Sequence, residues 1–70
     1  MTTLEANIFR ALTAYKVERG MDAQAAAAWA QANLQQGLAN WKEVRGKVSS
    51  QDREFDGDAY DALKAWAQRQ

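Results

Sequence analysis

The chain has 70 residues, with nine Lys plus Arg balanced against nine Asp plus Glu, and it contains neither His nor Cys. One domain of this size buries only about 60% of the surface that its unfolded form exposes. The missing His and Cys rule out disulfide staples and the common nucleophile-and-base pairings, and zero net charge supplies no long-range pull toward phosphate or anionic lipid.

Fifteen Ala and no Pro favour helix throughout, since Ala has the highest intrinsic helix propensity and Pro the lowest. The first helix is expected from a cap at Thr3 to about Arg19, because Leu4, Ile8, Leu12 and Tyr15 recur at helical spacing and form one stripe. Gly20 stands where a left-handed C-terminal cap is wanted, and Asp22 follows as the cap of the next helix. A turn this short makes the first two helices antiparallel neighbours.

The second stretch runs from Ala23 to about Val48. Ala27, Ala30, Leu34, Gly37, Trp41, Val44 and Val48 alternate steps of three and four, which is a heptad seam. Read as one continuous helix, the stretch is about 39 Å long at 1.5 Å per residue, more than the flanking helices can cover. Gly37 is the weak point, and it marks either a break or a close helix crossing. Trp29 lies off the seam, about 140° around the helix from Leu34 at 100° per residue, so that either a neighbouring helix or a partner covers it.

Ser49, Ser50 and Gln51 read as a turn, with Ser49 and Asp52 at capping-box spacing. Asp56-Gly57-Asp58 reads as a second turn. A last helix then begins at Asp58 and gathers Ala59, Tyr60, Leu63, Trp66 and Ala67 on one face. Trp41 and Trp66 fall on apolar stripes and are expected as core anchors. The expected architecture is a single all-α domain over residues 1–70, a three-helix protein in which a helical hairpin with a long central helix is followed by a shorter C-terminal helix.

Few motifs carry chemistry. Asp52, Glu54, Asp56 and Gly57 resemble the start of an EF-hand calcium loop, but the closing bidentate carboxylate belongs at the twelfth position, which Leu63 occupies. No metal ligand set, cofactor site or catalytic residue is therefore expected, and the protein reads as a non-enzyme. The longest apolar run, Ala25 to Ala30, is far short of the roughly 20 residues that span a bilayer. The stretch Met1 to Glu5 has neither the basic start nor the apolar core of a signal peptide. The expected compartment is the cytoplasm, with no membrane partner.

Two kinds of partner remain. The leading reading is a protein-binding module, a small adaptor, co-chaperone or stoichiometric inhibitor of a larger protein, with Trp29, Asn33 and Gln36 as its contact residues. In size and helical content the chain is similar to phage-encoded inhibitors of host machinery and to secretion-system co-chaperones, a likeness of fold alone. The heptad seam adds the expectation of a homodimer, because small residues at Ala27, Ala30 and Gly37 allow two helices to approach closely. The alternative is a nucleic-acid-associated regulator using Lys42, Arg45 and Lys47, although Glu43 interrupts that basic cluster.

Overall fold

Four helices make up the computed structural model, which describes the backbone of residues 2–46 and 53–70 and, within α4, the side chains from Ala59 onward. They are α1 (Thr3–Glu18), α2 (Ala23–Ala32), α3 (Leu34–Gly46) and α4 (Arg53–Arg69). The all-α class holds, while the helix count and the relative lengths differ from the sequence expectation. Lys47, Val48 and the turn expected at Ser49 to Asp52 lie outside the described residues.

Thr2, rather than Thr3, caps α1. Its Oγ1 accepts from the Glu5 N–H at 3.1 Å, and its own N–H donates to Glu5 Oε1 at 3.0 Å. Glu5 stands three residues after Thr2, the spacing that a reciprocal capping box requires. At the other end of α1, Gly20 takes φ +99°. The Met21 N–H donates to the Lys16 carbonyl at 3.1 Å and the Gly20 N–H to the Val17 carbonyl at 2.9 Å, which together form a Schellman closure. Asp22 then caps α2 through its side chain, which accepts from the Gln24 N–H at 3.1 Å.

The long second helix is interrupted, and at Asn33 rather than at Gly37. Asn33 adopts φ −110°, ψ 11°, in the sparsely populated bridge region. Its backbone N–H and its side-chain Nδ2 both donate to the Trp29 carbonyl at 2.9 Å. This side-chain bond competes with the helical ladder, as short polar side chains do. The Asn33 carbonyl accepts from the Gly37 N–H at 2.9 Å, so that α3 starts with no intervening loop.

Gly37 is the close crossing. It is buried inside α3, and a Cβ placed on it would lie 2.8 Å from Leu12 Cδ1 and 3.5 Å from the Trp66 ring. Here α1 and α4 both press on the α3 backbone, which the lack of a side chain permits.

The helix α4 begins at Arg53 and passes straight through Asp56-Gly57-Asp58, where a turn was expected. With 17 residues it is the longest helix, not the shortest. A Gly inside a helix costs at most about 1 kcal/mol, and a turn there would leave helix-end N–H and carbonyl groups without their ladder partners. Those two effects outweigh the local turn signal. Over Asp56 and Gly57 the backbone is helical, not that of a calcium-binding loop.

The core is formed by Ile8 and Leu12 of α1, Ala30 of α2, Leu34 and Leu38 of α3, and Leu63 and Ala67 of α4. Around it pack the half-buried aromatic residues Phe9, Tyr15, Trp29, Trp41, Tyr60 and Trp66. Both expected stripes on α1 and α4 point inward as the spacing implied, with Trp41 and Trp66 at the core margin.

Candidate functional site

Among the described residues there is no cavity that would hold a small molecule and no cluster of three acidic side chains. None of the described helices is long and apolar enough to cross a membrane. Three surfaces and junctions bear on the expected site residues.

The first is the surroundings of Trp29. Its ring lies 6.1 Å from that of Trp66, centroid to centroid and tilted by 44°. On α1, Lys16 is buried and places its Nζ 4.3 Å from the Trp29 ring centroid, the geometry of a cation–π contact. The same Nζ donates to the main-chain oxygen of Gln70 at 2.9 Å. Trp29 is thus covered by α1 and α4 within its own chain. Asn33, the second expected contact residue, is half-buried and forms the joint between α2 and α3. Gln36 is exposed. The three expected contact residues do not assemble into one open site.

The second feature is the heptad seam. Ala30, Leu34 and Gly37 are buried in the monomer's own core, and Ala27, Trp41 and Val44 are half-buried; Val48 lies outside the described residues. The break at Asn33 divides the stretch into two short helices, whose buried seam residues pack into the chain's own core, while Ala27, Trp41 and Val44 keep part of their surface. The accessible surface of 4561 Å² matches the roughly 4,400 Å² of a compact monomer of this mass. Beside the seam, the Trp41 and Tyr60 rings lie 6.0 Å apart, while Asn40 Oδ1 and Trp41 Nε1 are buried without a protein hydrogen-bond partner.

The third feature is the opposite, outward face of α2 and α3. No residue from Ala23 to Trp41 is charged, and every exposed residue in that stretch is Ala or Gln. Gln35 reaches a charged group across to α1, its Nε2 donating to Glu5 Oε2 at 3.4 Å. The outer surfaces of α1 and α4 are ordinary by contrast, with Arg10, Glu18, Asp61 and Arg69 exposed. A charge-free run flanked by Asp22 and Lys42 is visible in the sequence, and it is the signal that a search for motifs passes over.

The expected basic residues can be followed only in part. Lys42 is exposed, Arg45 is half-buried and already engaged within the chain, as is Glu43, and Lys47 lies outside the described residues.

Two titrating groups have identifiable surroundings. Burial holds the Tyr15 hydroxyl above its ordinary value, reinforced by Tyr60, Asp61 and Glu18, and the hydroxyl donates to the Tyr60 carbonyl at 3.4 Å. Nearby, Lys64 pairs with Glu18 at 3.1 Å. The hydrogen bonds from Thr2, its backbone N–H first, hold the Glu5 carboxyl below the usual carboxylate value.

No family model, curated protein or solved structure matches this chain. Its function has to be argued from its own surface.

Proposed function

We propose that the chain is a non-enzymatic protein-binding module, a small cytoplasmic adaptor, co-chaperone or stoichiometric inhibitor that works by occupying the surface of a larger protein. The observation that supports this reading is the charge-free outer face from Ala23 to Trp41, along α2 and the first turns of α3. Solvent-facing helices ordinarily carry interspersed Lys, Arg, Asp and Glu for solubility, whereas the centre of a protein interface is depleted of charge. A face of Ala and Gln has little charge to desolvate, and its short Ala side chains let a partner approach the helix backbones.

The double substitution Ala28→Glu with Gln31→Lys tests this reading. Both positions are exposed, and the new pair is three residues apart with the acid toward the N-terminus, so the helix itself tolerates it. Affinity capture from the native cell extract in about 0.5 M salt, where the Debye length is only several ångströms, should retain a protein on the wild-type chain. Binding of that protein, once identified, should weaken about tenfold or more in the variant, as expected when charges are forced into a desolvated interface. Equal affinity for both chains would overturn the proposal. Capture of nucleic acid alone, released by salt, would replace it with the reading built on Lys42, Arg45 and Lys47.

A further inference from the structure

Lys16 is the one buried charge among the residues whose side chains are described, 6% exposed in a core otherwise built from apolar groups. A buried ammonium is costly unless it is satisfied, and three features satisfy this one. Its Nζ lies over the Trp29 ring at 4.3 Å and donates to the Gln70 main-chain oxygen at 2.9 Å. It also stands at the C-terminal end of α4, the negative end of that helix dipole. The end of α4 is well defined around this point, where the Gln70 N–H donates to the Ala67 carbonyl at 3.3 Å and Gln70 Nε2 to the Trp66 carbonyl at 3.2 Å.

Lys16 is held from its backbone side as well. Its carbonyl accepts from the N–H groups of Arg19 and Met21, both at 3.1 Å, which closes the corner between α1 and α2. One residue therefore ties the corner by its main chain, α2 through the Trp29 ring, and α4 through Gln70.

We propose that Lys16 is a latch, in which the site formed by the Trp29 ring and the Gln70 oxygen binds the chain's own ammonium and so holds the end of α4 against the α1–α2 pair. While the latch is closed, Trp29 and Trp66 cover one another. Its release frees the last turns of α4 and brings both indoles to the surface. The latch decides whether Trp29 is a core residue or a presented one.

The bland alternative is that only the aliphatic stem of Lys16 matters, as packing. Lys16→Met keeps the stem and loses the charge, and Lys16→Arg keeps the charge. Native-state amide exchange followed by two-dimensional NMR separates them. In Lys16→Met, exchange at Trp66, Ala67 and Gln68 should rise about tenfold or more, the scale of a desolvated cation–π contact, with Ile8 and Leu12 unchanged, whereas Lys16→Arg should stay within about threefold of wild type. Unchanged exchange in Lys16→Met would overturn the latch. A parallel rise at Ile8 and Leu12, or outright unfolding, would overturn it too, because Lys16 would then be a strut of the whole core. A Lys16→Arg chain as loose as Lys16→Met would show that charge is not what holds α4.

Discussion

The inner and outer faces of α2 and the first two turns of α3 come from one run of uncharged residues, Ala23 to Trp41, yet they do opposite things. Inward, Ala30, Leu34, Gly37 and Leu38 are buried against α1 and α4. Outward, every exposed residue from Ala23 to Trp41 is Ala or Gln. What separates the two faces is volume: Leu and the bare Gly backbone interlock with Leu12 and Trp66, while the outer side has neither bulk nor charge. A helix that is apolar on its seam and merely neutral outside buries one side in its own core while keeping on the other a surface cheap to desolvate.

Leu34 and Gln35 are adjacent in sequence and face opposite ways, so they offer the widest separation of the two roles. Leu34 is 6% exposed. Leu34→Ala should cost about 2–5 kcal/mol, the range for a buried Leu deletion, and Gln35→Ala should stay within about 0.5 kcal/mol, as surface changes do. Urea unfolding of the two variants reads both figures. Similar losses would mean that the outer face is packed too, and the contrast between the faces would fail.

A smaller effect is expected at Gly37, where the inner face meets α1 most closely. Adding a methyl group places a carbon 2.8 Å from Leu12 Cδ1. Leu12 is fully buried and has little room to retreat, so overpacking of about 1–3 kcal/mol competes with a helix-propensity gain of at most about 1 kcal/mol. Gly37→Ala should lower the urea midpoint modestly. The companion change Leu12→Val with Gly37→Ala should recover part of the loss, and a rise in stability from Gly37→Ala alone would show that the crossing is looser than the distance implies.

These two sites also show what can be read from the sequence and why. The corner at Gly20 to Asp22 is legible because its chemistry is local: one Gly with positive φ, one Asp cap, and a helix on each side. The core stripes of α1 and α4 are legible for the same reason, since each is set by spacing alone. The break at Asn33 is not. The heptad steps keep phase through it, the Gly37 N–H still donates to the Asn33 carbonyl, and Asn carries no strong signal in mid-helix. Gly37 attracts suspicion because it is a Gly, yet its use is tertiary and depends on Leu12, 25 positions away in the sequence. The start of α4 is misread for the opposite reason, because Asp-Gly-Asp is a strong turn signal that helix continuity overrides. Of the candidate site, the neutral run could be read directly, whereas the covering of Trp29 by Lys16 and Trp66 joins three helices and could not.

The smallest expected effect lies at Tyr15, half-buried and belonging to neither face. Its hydroxyl donates to the Tyr60 carbonyl at 3.4 Å, a long bond that contributes little at neutral pH. Burial, with Tyr60, Asp61 and Glu18 around it, raises the folded-state value above the ordinary 10.0. The group is neutral below that value in both states, so its contribution is fully present there. Above it the unfolded chain loses the proton first, and the stabilisation falls as pH rises toward the folded-state value. Tyr15→Phe should change the urea midpoint at pH 7 only slightly, since it keeps the ring beside Lys64, whose Nζ is 6.0 Å from the ring centroid. Between about pH 9 and 11, where Tyr titrates, the wild type should lose stability more steeply than the Phe variant. The two curves should then converge with rising alkalinity if the variant begins lower, or diverge in its favour if it begins level. Parallel curves across that range would mean that Tyr15 ionises as freely in the fold as outside it, and that the α1–α4 contact around it is open to water.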